Sequence, residues 1–400
     1  MRSRTSGIVS DRQVQALAEA WLREALPLED VGWKCTALVL WQIVLLAATR
    51  MVSLFAACRD LADAPSDDAV RQALVKCLPK RPRTLEEWLE PALAGQQLPK
   101  ALFARGREVA IDFHQIPYHG QPHKHANELY RSQPKSGTTK FHCYATACIV
   151  EKGFRYTLAA TYVKGDESLV AVIERLLLRL GERGLLIKTL LLDRQFFTLD
   201  VLKYLQACQV PFVMPLLLRG KKPKRKAAKA RRRGKRQPIK LRDFQRQAAG
   251  RYAYTWTVKQ QSVSFHVVVA YKSFRHQKTG SRRTKKLLYA AWHVRGTPTE
   301  IRELYRRRFG IESSYRQLGL ARIRTCTTDP VLRLFFVLVA LVLRNVWVWL
   351  HFTYFAKRRR GELQLRLECL RFRRMLNWIA RVITDLLHDS SDYMTQVPAG

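Results

Sequence analysis

Three acidic side chains stand where a folded chain could use carboxylates for chemistry. Asp112 lies inside the apolar run EVAIDF, Asp193 closes the run LLIKTLLLD, and Glu312 follows Arg308 by one helical turn in RELYRRRFGIESSYRQLG. A carboxylate at the end of a buried strand is desolvated unless a cation faces it, and two adjacent anions repel by kcal/mol amounts that a divalent ion relieves. Oxygen ligands with no His or Cys cage suit Mg²⁺ or Mn²⁺. Two such ions among three carboxylates would serve in-line attack on a phosphodiester. Plainer roles compete. Asp193 could keep a strand end soluble or cap the helix in FFTLD, with Arg194 as its ion-pair partner, and Glu312 could pair with Arg308 or Arg316 at helical spacing.

These residues need elements to position them. From Arg107 the pattern reads as strands: EVAIDF, then FHCYATACIVEKG, then FRYTLAATYVKG, a predicted antiparallel meander. SLVAVIERLLLRLGERG has helical spacing, and LLIKTLLLD is the near-continuous apolar run of a strand buried on both faces. FTLDVLKYLQACQ reads as a helix and VPFVMPLLL as a strand. The order β-β-β-α-β-α-β predicts an RNase H-like α/β core, a mixed sheet flanked by helices, in which the first and fourth strands are neighbours and bring Asp112 beside Asp193. In GTPTEIRELYRRRFGIESSYRQLG, Thr297 is the expected N-cap, Pro298 takes the first helical position and Glu300 completes a capping box. One helix is predicted from there to Gly319. At about 100° per residue it would carry residues 305, 308, 312, 316 and 319 on a single face.

Four hundred residues with 71 Lys+Arg against 32 Asp+Glu give a formal net charge of +39. That excludes an ordinary neutral metabolic enzyme and calls for a polyanionic partner, nucleic acid before membrane. Fourteen Lys or Arg and no acid fall between Arg219 and Arg242. Lys221, Lys222, Lys224, Arg225, Arg231, Arg232 and Arg233 in that run are candidate phosphate contacts. Strand-like segments resume with RYAYTWTVKQQSVSFHVVVAYKSF and KKLLYAAWHV, predicting an inserted β-rich subdomain. The first 100 residues read as helical, with MVSLFAACRDL and PSDDAVRQAL forming a helix pair; a DNA reader or an ordinary helical domain would both look so. The expected divisions are a helical N-terminal domain over 1–100, the first part of the core over 101–218, the basic loop and β-rich insertion over 219–296, and the second part of the core with C-terminal helices over 297–400. Two apolar stretches, 37–58 and 334–343 with its extension, are broken by Arg50, Arg333 and Arg344, so core helices are expected and no membrane. Eight cysteines form no C-x-x-C pair, which suits free thiols in a reducing cytoplasm. His114, His119, His123 and His125 cluster after Asp112 without zinc spacing. Trp256 could pack or stack on an exposed DNA end.

Taken together, the chain resembles the DDE transposases of bacterial and archaeal insertion sequences, within the RNase H-like superfamily, in the branch with a Y-x2-R-x3-E-x6-K signature. Tyr305, Arg308 and Glu312 match its first three members, LLLDRQFF resembles its second-Asp segment, and AIDFHQIPYHG resembles its first-Asp segment. The resemblance spans about residues 65 to 350. It implies that Asp112, Asp193 and Glu312 hold two Mg²⁺ or Mn²⁺ ions, that Tyr305 and Arg308 contact phosphates near the cleaved end with Arg194 and Arg316 beside them, and that the activity is strand cleavage and transfer at the ends of the element. Implied partners are double-stranded DNA, at transposon ends and target, and a second copy of the chain as a homodimer on DNA; the implied location is the cytoplasm, at the nucleoid. The final Lys of the signature is replaced by Gly319, and Arg316 could supply the missing cation. Two competitors remain: a catalytically silent DNA-binding derivative, and an RNase H-like nuclease or resolvase that cuts without joining.

Overall fold

The computed structural model describes residues 9–61, 63–93, 103–151, 154–218, 240–258, 260–277, 280–359 and 362–388. Its centre is a meander of three strands. β1 (Arg107–Pro117) pairs antiparallel with β3 (Thr138–Glu151), and β3 pairs antiparallel with β4 (Phe154–Val163). A short strand, β2 (Tyr130–Lys135), shares the β4 edge of β3 at its N-terminal half and had no clear signature in the sequence. Two parallel strands continue the sheet on the other side of β1: β5 (Ile187–Leu192), then β6 (Phe212–Pro215). The crossovers are α6 (Leu169–Glu182) and α7 (Leu199–Ala207), capped by Ser168 and Thr198. The spatial order β4-β3-β1-β5-β6, antiparallel in its first half and parallel in its second, is the RNase H-like arrangement.

The β-rich segment after residue 240 continues this same sheet. β7 (Gly250–Val258), β8 (Gln261–Arg275) and β9 (Arg282–Trp292) form a second meander, and β9 pairs antiparallel with β6 through Phe212 opposite Trp292. Nine strands thus form one mixed sheet among the described residues. Trp256 lies parallel against Phe197, ring centres 5.0 Å apart, and so packs β7 against the segment that follows β5.

α10 (Pro330–Leu350) packs against β4; it is started by Asp329, whose carboxylate accepts from the Val331 and Leu332 amides. Its length and composition would suit a membrane, yet the whole helix is buried inside the fold, as a core helix is. Asn345 fastens it to β4, accepting from the Thr157 amide at 3.1 Å and donating to the Thr157 carbonyl at 2.7 Å. The N-terminal helices join the same layer. α1 (Asp11–Ala25) and α2 (Ala37–Arg50) lie against α10 and against α11 (Phe372–His388). Trp21 meets Trp349 and Trp41 meets Phe335; Arg381 pairs with Asp11, and Arg50 reaches Thr384 at 3.0 Å. α3 (Leu54–Arg59) and α4 (Asp67–Cys77) follow, and Ser66 caps α4. In α5 (Pro82–Leu93), Glu86 is buried and accepts from the Tyr162 amide, Thr161, Arg83 and Arg179, tying α5 to β4 and α6.

Candidate active site

β1 and β5 run side by side with Ile111 opposite Leu192, so the next residue along each strand is an aspartate. Asp112 is still within the sheet, opposite Thr146 of β3, and is 8% exposed. Asp193 is the first residue past β5; its carboxylate caps no helix, since Thr198 takes that role for α7. The third carboxylate arrives from the helical segment that follows the second meander. There α8 (Pro298–Arg306) begins with the expected capping box, Thr297 and Glu300 bonding each other's backbone amides.

The single helix expected from 298 to 319 is two. α8 ends at Arg306 and α9 (Phe309–Leu318) begins after a tight turn, in which the amides of Arg307, Arg308, Gly310 and Ile311 bond three residues back. The break has physical reasons. Tyr305 is 3% exposed and packs on Tyr289 of β9, whereas α9 must bring Arg308 and Glu312 over the ends of β1 and β5.

At this turn the three carboxylates meet one guanidinium. Arg308 Nη1 lies 2.8 Å from Asp112 Oδ2, and Nη2 lies 3.3 Å from both Asp193 Oδ1 and Glu312 Oε1. Its planar head is flanked by the rings of Tyr305 and Phe309, 5.5 and 5.3 Å from their centres. Asp112 Oδ1 accepts from the Phe113 amide at 2.9 Å. Burial pushes the Asp112 carboxyl up to about 6; Arg308 opposes the shift, while Asp193 and Glu312 add to it. Arg308 is pulled down by burial but held above its usual value by Tyr305 and the three carboxylates. Tyr315, one turn beyond Glu312, donates to the Asp112 carbonyl at 3.0 Å and bonds Thr146 Oγ1 at 2.7 Å, pinning α9 to β1 and β3. The sequence reading missed Tyr315; its spacing of seven residues from Arg308 was the available signal. Arg307 adds an ion pair with Glu108 of β1.

The structure therefore brings Asp112, Asp193, Glu312 and Arg308 together. Tyr305 is buried beneath Arg308 rather than presented to a ligand, and Arg308 is spent on carboxylates in this state. Arg194 and Arg316 are exposed on either side, and Gly319 is helical with open space around it. The basic residues Lys221, Lys222, Lys224, Arg225, Arg231, Arg232 and Arg233 lie outside the described residues. His114 packs at a tilt against Tyr315, ring centres 4.6 Å apart, and His123 bonds Thr328, so the histidine run is dispersed.

The donor set suits a hard cation: all oxygen, anionic, from three elements that converge. Among the described residues no three His, Cys, Asp or Glu side chains stand close enough to hold a metal ion as they are. Arg308 occupies the middle of the set, neutralising the charge that a divalent ion would otherwise balance.

A family model for the transposase DDE domain matches residues 104–343. Among solved structures the chain is similar to the piggyBac transposase in a synaptic complex with hairpin DNA, at 10% identity and a TM-score of 0.49, over 94% of this chain and 77% of that one. A search of curated proteins finds no match.

Proposed function

The chain belongs to the transposase DDE domain family, and from that premise we propose that it is a metal-dependent transposase that cuts and joins DNA strands at the ends of its own mobile element. The observation that carries this reading is the convergence of Asp112, Asp193 and Glu312 on one guanidinium at the ends of two adjacent parallel strands. Three buried or half-buried anions gathered at one point store repulsion that only cations relieve.

In this reading Asp112 and Asp193 are the fixed pair, set by strand register, and Glu312 is the adjustable third ligand on α9. Two Mg²⁺ or Mn²⁺ ions held by these carboxylates would supply Lewis acidity to the attacking and leaving oxygens of a phosphodiester. Arg308 keeps the carboxylates together beforehand, and its release toward a phosphate would free them while adding a DNA contact. Tyr305 supports that swing from below as an aromatic floor. Exposed Arg194 and Arg316 flank the carboxylates and suit the strand on either side of the cut. The +39 charge fits long DNA, and concerted action at two ends calls for at least two copies on it.

A silent DNA-binding derivative is the second reading, favoured by Gly319 at the position of the signature's Lys. Incubating the protein with linear DNA that carries the sequences flanking its gene, with Mg²⁺, Mn²⁺ or EDTA, separates the two. Metal-dependent nicks at fixed positions, absent with Asp193→Asn, are expected. Binding without cleavage under every metal, unchanged by the substitution, would overturn the catalytic reading.

A further inference from the structure

The other side of α9 carries a second charged feature. Gly310, Ser313 and Gln317 recur at helical spacing about 180° from Arg308, Glu312 and Tyr315. They line a cleft of about 60 Å³, together with Arg155 at the start of β4 and Arg344 and Trp347 of α10. Two arginines thus face one cleft, and neither forms an ion pair among the described residues. Arg344 is 3% exposed; its Nε donates to Gln317 Oε1 at 3.3 Å and its Nη1 to the Arg155 carbonyl at 2.9 Å, which fixes its orientation. Arg155 Nε is buried and has no acceptor among the described residues. The guanidinium of Arg155 lies so close to the backbone of Gly310 that a Cβ there would collide with it, so a glycine at 310 makes room for the cation.

Placing two cations, one of them buried, on the wall of one small cleft is costly unless an anion joins them. The lining provides forked guanidinium donors, the exposed Ser313 hydroxyl and no carboxylate. Donors converging from several directions match a tetrahedral oxyanion better than a planar one, and two positive charges match a doubly charged one. We propose that this cleft binds a phosphate group between Arg155 and Arg344, on the face of α9 opposite the carboxylates. The phosphate comes from the backbone of DNA bound outside the catalytic cleft or from free phosphate. In either case it steadies the helix that carries Glu312 from behind. The site needs neither a metal nor catalysis, so it stands or falls apart from the proposed function.

The test is calorimetric titration of inorganic phosphate into the full-length protein in EDTA, at constant ionic strength set with chloride. Wild type is compared with Arg155→Met, with Ser313→Leu, and with Arg59→Met as a distant control on an exposed arginine. Ser313→Leu closes the cleft from an exposed position and keeps both cations, so it folds as wild type even if the buried substitution does not. One saturable site per chain is expected, weakened roughly tenfold or more in both cleft variants and unchanged in the control. Absence of a saturable site, or equal affinity in all four proteins, overturns the proposal. A second titration on protein saturated with a 20-base-pair duplex assigns the source: loss of the site identifies a backbone phosphate, and persistence identifies free phosphate.

Discussion

Replacing Arg308 with Met tests whether the carboxylate cluster is held together by one cation. A buried pair broken on one side ordinarily costs about 3–5 kcal/mol, because the remaining charge is stranded. Here the stranded Asp112 has an escape. Its carboxyl already sits at about 6 in the folded protein, so at pH 7 the ionised form is preferred by only about 1.4 kcal/mol, one pH unit's worth. Without Arg308 it takes up a proton, and the loss from this residue is capped near that figure. The half-exposed pairs with Asp193 and Glu312 add about 0.5 kcal/mol each. The total is about 2 kcal/mol at pH 7. The sign of the pH dependence follows. A carboxyl raised from about 3.9 unfolded to about 6 folded costs the wild type stability as pH rises through that window, and nothing further above it. In the variant the carboxyl is raised higher still, so its stability keeps falling above pH 6. The deficit relative to wild type should be about 1 kcal/mol at pH 5, about 2 at pH 7 and between 3 and 4 at pH 8. Urea unfolding at the three values measures it, and millimolar Mg²⁺ should recover more stability in the variant than in wild type, since the carboxylates are no longer neutralised. A deficit of 3–5 kcal/mol that does not vary from pH 5 to 8, or equal Mg²⁺ stabilisation of the two proteins, would refute the reasoning.

Two further outcomes are expected. Gly319→Lys should leave stability within about 0.5 kcal/mol, because residue 319 has helical φ and an added Cβ meets nothing within 4 Å; the new cation should tighten DNA binding and steepen the log-log salt dependence by about 0.9, read from binding isotherms at several salt concentrations. Asn345→Leu should cost about 2–4 kcal/mol by urea unfolding, since the buried amide and carbonyl of Thr157 both lose their partner; an effect under 1 kcal/mol would show that β4 and α10 are held by apolar packing alone.

Much of the core was legible because its strands announce themselves. LLIKTLLLD has the unbroken apolar run of a strand covered on both faces, and the register of that strand against β1 places two aspartates at adjacent ends. The capping box at Thr297 was equally plain, since it depends on residues three apart. What escaped was decided by tertiary contacts. Tyr305, Arg308 and Glu312 share a face on any continuous helix, and nothing local marks the turn at 307–308; it exists because Tyr289 receives Tyr305 while β1 and β5 receive the arginine. The attachment of β9 to β6 was hidden for a similar reason. Pairing partners lie about eighty residues apart and leave no trace in composition. The central part of Arg308 could not be read either, since its neighbours at 112 and 193 are remote in sequence.

The helical layer that backs the sheet is assembled from both ends of the chain, α1 and α2 against α11. During synthesis α2, almost wholly apolar over Leu40–Ala48, leaves the ribosome some 320 residues before its partner Phe372–His388 exists. At ordinary translation rates that is a wait of roughly 16–60 s with a sticky surface uncovered, long enough for a chaperone or the ribosome surface to occupy it. The contacts that end the wait are among the most distant in sequence that the fold contains, and such contacts close slowly. A chain made only as far as α10 therefore lacks the helix against which α1, α2 and α10 itself pack.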